Sequence, residues 1–254
     1  MRTFTAFIIK EFIESVRTYK LFILIAVLLL LGIMSPFLTR LMPELLKNAD
    51  LGQGVTLTMP DPVAMDSWIQ FFGNVAQMGM ITLAIIFSGL TAGEFSRNTL
   101  VILLTKGMRR SVVILSKFTA AAFIWSIAYI VSIAAAYAYT AYYFTIGEMN
   151  NVFLAFFSQW LFGVLLIALV IFGGVLFKNI YGSLLFAGGS AVAMTLLNLI
   201  SKVRRFNPVI LSGDGVQLMS GAKPSDFVPA VIVCGALASA LILASILAFN
   251  KKQL

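Results

Sequence analysis

The chain has 254 residues, 60% of them hydrophobic and only 11% charged, too little polar surface for a soluble globule of ordinary composition, so it reads as a membrane protein. Its single cysteine, Cys234, excludes an intrachain disulfide framework, and the complete absence of histidine removes Ser-His-Asp triads, His-ligated metal sites and histidine proton shuttles together. A net charge of +8 would suit nucleic acid, but the basic residues stand beside apolar runs; topology and lipid headgroups account for them, and no nucleic-acid partner is expected.

Residues 1–20 read as an amphipathic helix lying in the membrane interface. Phe4, Phe7, Ile8, Phe12, Ser15, Val16 and Tyr19 follow helical spacing, while Lys10, Glu14 and Arg17 take another face. Both signs of charge and the lack of a small-x-small cleavage site argue against a signal peptide, so the segment is expected to be retained. A first span at about 21–38 is followed by a polar, proline-containing loop over residues 39–68. Ser67 and Gln70 have capping-box spacing and would start a second span at about 69–92, with Trp68 at the interface.

Within that span Gln70, Asn74, Gln77 and Ser88 share nearly one helical face. Amides are costly against lipid, so this face should look toward protein or water, either lining a substrate path or bonding to a neighbouring helix. A charged hinge follows at residues 94–110 and runs on to Lys117. In it Glu94 and Arg97 are spaced to pair on one helical face, Leu100, Leu103 and Leu104 line another, and Gly107 ends the helix.

The third span, about 112–144, is too long for one crossing unless part of it projects from the bilayer, and too short for two crossings with a loop. Tyr137, Tyr139, Tyr142 and Tyr143, with Phe153, Phe156, Phe157 and Trp160 across a short turn, form an aromatic belt that marks a membrane surface. The fourth span covers about 152–177, Lys178 and Asn179 make a tight return, and the fifth covers about 181–199. After a segment containing Lys202, Arg204 and Arg205, the sixth span, about 228–249, carries Ala236, Ala240, Ala244 and Ala248 four apart, a spacing that lets helices approach closely, within the subunit or at a dimer face.

The fold class is thus an all-α membrane protein in one transmembrane domain: an interfacial elbow helix, then six spans. With both termini cytoplasmic, twelve of the 18 Lys and Arg residues lie inside and seven of the ten acidic residues outside; the basic stretch at 202–205 runs against this bias.

The residues Glu94, Thr99, Leu100, Leu103, Leu104, Arg110 and Lys117 resemble the coupling-helix region of type-2 ABC exporter permeases of the ABCG-like, bacterial kind. The pattern there is Glu, then Gly-Thr-Leu, Leu-Leu, Pro, Arg and a later Gly-Lys. Asn98, Gly107 or Met108, and Ser116 depart from it. The resemblance implies an elbow helix before the first span, a cytoplasmic coupling helix between the second and third, and a permease subunit of an ATP-driven exporter in the cell membrane. It also implies a separate ABC ATPase gripping the hinge, with ATP and Mg on that partner and no cofactor on this chain, and a second permease subunit, identical or not, across the substrate path. Docking falls to Leu100, Leu103 and Leu104, with Glu94, Arg97 and Arg110 as polar contacts or internal braces. The cargo expected of such a permease is an amphipathic peptide, antibiotic or lipid.

No phosphate loop, mid-span charge or histidine base is present, so hydrolysis is not expected on this chain. An ATP-independent channel or secondary carrier would transport from the isolated chain without ATP. An intramembrane enzyme would need turnover by the purified chain alone.

Overall fold

The computed structural model describes residues 2–48, 61–96 and 109–251. Helix α1 covers Arg2–Arg17 and α2 Lys20–Asn48. Helix α3, Ala64–Asn74, passes through a π-helical turn at Val75–Gly79 into α4, Met80–Ser96. Then come α5 at Arg110–Tyr143, α6 at Val152–Phe177 and α7 at Ile180–Leu197. Two single turns, α8 at Ser201–Arg204 and α9 at Ile210–Gly213, and a 3-10 turn at Asp214–Leu218 lead to α10 at Pro224–Lys251. Six stretches are long and apolar enough to cross a membrane: Lys20–Glu44, Ala64–Phe95, α5, α6, α7 and α10.

Helix α6 is the centre of the bundle. It is apolar on every side, as a helix enclosed by others must be, and packs against α4, α5, α7 and α10. Gly163 makes room for Trp125: a Cβ there would lie 2.4 Å from the indole. The two tryptophans of this crossing then lock reciprocally, Trp125 Nε1 donating to the Trp160 carbonyl at 3.1 Å and Trp160 Nε1 to Ser126 Oγ at 2.9 Å. Gly32 does the same where α2 meets α5, since a Cβ there would lie 2.6 Å from the Ser132 carbonyl oxygen, and Ser132 Oγ donates to the Leu28 carbonyl at 2.6 Å.

Several boundaries differ from the sequence reading. Helix α2 does not stop near residue 38 but runs through Pro36 and Pro43, so Arg40, Glu44 and Lys47 stand on a helix rather than in a loop. Around Pro36, Ser35 Oγ donates to the Leu31 carbonyl and Thr39 Oγ1 to the Ser35 carbonyl, while each proline removes one backbone bond that a spanning helix can give up without ending. The second span begins at Ala64, where Asp66 Oδ2 accepts the Val63 N–H at 2.9 Å. Ser67 is no cap: it is buried and shares a 2.8 Å hydrogen bond with Thr140 Oγ1 of α5. Helix α10 starts at Pro224, a position where the missing N–H costs nothing, and its buried ridge is Ala230, Cys234, Ala238, Ile242 and Ser245. Ala236 and Ala240 of the predicted stripe are exposed.

Candidate functional site: a charged junction and an apolar cavity

At the end of the bundle where α1, α4, α5 and α10 meet, charges are buried among apolar side chains. Helix α1 packs on α5 and α2 along a ridge of Phe7, Glu11 and Ser15, four apart, which sets a carboxylate in the middle of its apolar face. Glu11 and Lys117 are 2% and 1% exposed. Lys117 Nζ lies 3.0 Å from both Glu11 oxygens and 2.9 Å from Glu94 Oε1. One ammonium therefore ties α1, the end of α4 and the start of α5.

Lys10 borders the same cluster, 3.0 Å from Glu11, 2.7 Å from Glu14 and 3.6 Å from Glu94. Burial works against the Lys10 charge, but its bond to Glu14 and the nearby Glu11 and Glu94 outweigh that and raise its pKa above the ordinary lysine value. Burial likewise opposes ionisation of Glu14, and the Lys10 bond overcomes it, lowering that carboxyl below its ordinary value. One oxygen from each of Glu11, Glu14 and Glu94 falls within 4.8 Å of the others, a spacing that could serve a cation. Lys10 and Lys117 stand among these oxygens, so two ammonium groups already supply the countercharge.

Arg110 braces the junction from the other side. Its Nη1 donates to the Phe249 and Asn250 carbonyls at the C-terminal end of α10, and its guanidinium lies 5.4 Å from the Phe249 ring. Phe249 in turn meets Phe95 edge-on at 5.6 Å. Of the residues predicted for ATPase coupling, Glu94, Arg110 and Lys117 thus converge on this junction, whereas Arg97, Thr99, Leu100, Leu103 and Leu104 lie outside the described residues. Glu94 makes ion pairs with Lys117 and Lys10, two partners that helical spacing alone does not indicate, and the expected pair with Arg97 involves a residue outside the described ones. Glu11 was missed entirely; its place between Phe7 and Ser15 was the available signal.

The predicted polar face of the second span divides. Asn74 Nδ2 donates to Ser35 Oγ at 3.0 Å, an interhelical bond, and Gln70 Nε2 donates to Asn74 Oδ1 at 3.4 Å. Ser88 is buried and donates to the Ile85 carbonyl. Gln77, exposed in the π-helical turn, lines a cavity of about 680 Å³ together with Ala84, Phe162, Gly188, Asn198 and Asp214. This volume suits a drug-sized molecule, and the lining is apolar with a few polar groups, as binding cavities are. The π turn lies where Met80 N–H reaches back five residues to the Val75 carbonyl; such widened turns are frequent at functional positions.

Gln159, fully buried on α6, bonds to Ser212 of the cavity lining and is a polar residue the sequence reading does not single out. Its Nε2 donates to the Phe72 and Ser212 carbonyls, and its Oε1 accepts from Tyr129 at 3.0 Å, joining α3, α5, α6 and α9 at one side chain.

Comparison with known proteins completes the description. The family described as ABC-2 family transporter protein matches residues 5–254. No curated protein matches the chain.

Proposed function

We propose, from the premise that this chain belongs to the ABC-2 family of transporter proteins, that it is the permease subunit of an ATP-driven exporter. In this reading a separate ABC ATPase, carrying ATP and Mg, engages the segment 97–108 through Leu100, Leu103 and Leu104. Cargo passes along the face of the second span that bears Gln77, beside a second permease subunit, and the braced end of the bundle lies in the cytoplasm.

The observation that carries this reading is the bracing on both flanks of the segment. Glu94, just before it, is bonded to Lys117 and through it to Glu11 of α1; Arg110, just after it, is bonded to the end of α10. A push on residues 97–108 therefore has rigid routes to the elbow helix, to the second and third spans and to the last span. Buried charge pairs resist separation by several kcal/mol, of order 3–5 when one partner is removed, so α1, α4 and α5 move together rather than slip, and the Arg110 hydrogen bonds attach α10 to them. The cavity gives that motion something to act on: it is bounded by α4, α6 and α7, and rocking α4 and α5 as a unit against α6 changes its width.

The test is to purify the chain with its ATPase and measure ATP hydrolysis. Replacing both docking leucines, L103D/L104D, is expected to abolish stimulated hydrolysis while the chain still inserts in the membrane. Normal stimulation in that variant would overturn the docking assignment.

A further inference from the structure

The basic stretch that opposes the charge bias of the chain lies where α7 ends, at residues 199–206. Its apolar side chains are not turned inward: Leu199 is 81% exposed and Phe206 52%, with Ile200 and Val203 exposed as well. Among them stand exposed Lys202, Arg204 and Arg205, and exposed Lys223 follows in the chain before α10.

The segment has a set shape. Val203 and Arg204 N–H groups bond back to the Ile200 carbonyl, and Phe206 N–H bonds to the Val203 carbonyl at 2.9 Å. Buried Asn207 then pins the turn, its Nδ2 donating to the Met194 carbonyl of α7 and its Oδ1 accepting from Val209 N–H. Arg204 is held by Asp214 at 3.1 Å, and Arg205 reaches the Ser225 carbonyl at 3.4 Å. Lys202 and Lys223 make no ion pair among the described residues.

A spanning helix delivers its end to the depth of the headgroups. Exposed leucine, isoleucine, valine and phenylalanine at that depth must rest in the acyl boundary, and the cations interleaved with them then sit level with phosphate groups. Guanidinium and ammonium groups bind phosphate oxygens by charge-assisted hydrogen bonds, and each basic residue at an anionic membrane surface contributes on the order of 1 kcal/mol. The local charge, four cations against Asp214 and Asp226, favours an anionic ligand over a zwitterionic one.

We infer that residues 199–206, with Lys223, form a shelf that binds the headgroup of an anionic phospholipid in the leaflet where α7 ends. The shelf abuts the cavity, since Asn198, Val209 and Asp214, at its two ends and beyond, line that cavity. A lipid seated there would bound the cavity's mouth on its membrane side. This inference needs only that the chain sits in a bilayer, and it holds or fails independently of the ATPase.

The test uses the full chain in phosphatidylcholine vesicles doped with brominated phosphatidylglycerol or brominated phosphatidylcholine. The reporter is F206W, its fluorescence taken as the difference from the chain without it. Brominated phosphatidylglycerol is expected to quench the added signal at a mole fraction more than about tenfold lower than brominated phosphatidylcholine. The difference should shrink as salt rises from about 50 to 500 mM. Single substitutions K202Q and R205Q should each reduce the preference about fivefold, the factor corresponding to about 1 kcal/mol per charge. Equal quenching by the two lipids, or none by either, would overturn the shelf. So would displacement of the lipid by millimolar inorganic phosphate, which would make it a site for a free anion. If K202Q and R205Q disturb folding, the salt dependence of the F206W chain alone decides, and a preference indifferent to salt would refute the assignment.

Discussion

At Lys117 the sequence supplies a charge that membrane burial should exclude, and the structure supplies its reason. An ammonium 1% exposed is tolerable only because Glu11 and Glu94 surround it at hydrogen-bond distance. Its long stem also fills space between α1 and α5, so the position does two jobs. Replacement by methionine keeps the stem and deletes the charge. The three carboxylates of the junction, Glu11, Glu14 and Glu94, are then left with Lys10 alone, and K117M is expected to lose about 3–5 kcal/mol of stability, the scale for orphaning buried partners. Thermal unfolding in detergent measures it; a melting temperature unchanged from wild type would mean that the Lys117 ammonium does not hold the junction together. Lys117 was legible as a positive residue near the start of a span, and Glu94 as a charge in the hinge. Their partnership was not, because it depends on Glu11, 106 residues away from Lys117 on a helix whose pattern reads as ordinary amphipathicity.

At the scale of elements, the six spans were legible because twenty-residue apolar runs leave few alternatives in lipid, and α6 was read at its observed limits. What failed was the ends. Proline argued for a loop after residue 38, yet a spanning helix tolerates a proline at the loss of one backbone bond, and α2 continues through both. The stripe of alanines on α10 was read as a packing face because small residues permit close approach. The buried ridge instead follows Cys234, Ala238 and Ile242, set by what α6 presents; Cys234 Sγ itself lies 3.7 Å from the Leu161 carbonyl. The π turn left no sequence signature at all. Helix α7 shows the converse: Gly188 has no atom within 4 Å of where a Cβ would stand and it lines the cavity, so a larger residue there meets open space rather than backbone. G188L should therefore leave thermal stability within about 0.5 kcal/mol of wild type. It should also cut cargo transport severalfold by occupying the cavity, with stimulated ATP hydrolysis retained. Transport at the wild-type rate in G188L would remove this cavity from the path.

For the whole molecule the question is whether the two regions are one machine. The junction and the cavity share α4: Glu94 is near one end of it, and Ala84 and Ile85 line the cavity two to three turns away. A helix transmits a displacement over that distance without loss, provided that its driven end does not yield. Glu11 is the point to test, since it meets the Lys117 ammonium beside Glu94 at the end of α4 and does not line the cavity. Glutamine at this position keeps the shape and a hydrogen-bonding group while deleting one charge. The remaining Glu94–Lys117 pair is then neutral in sum and needs no third partner, so E11Q should fold. What it should weaken is the grip of α1 on the moving pair, leaving the longer Lys10–Glu94 contact as the remaining tie. The expected result is stimulated ATP hydrolysis near the wild-type rate with transport per ATP lowered severalfold, a change in coupling rather than in either activity alone. A proportional fall of both would mean that Glu11 merely supports the fold; unchanged transport per ATP would mean that α1 rides passively on the bundle, and that force reaches the cavity through α4 and α5 without it.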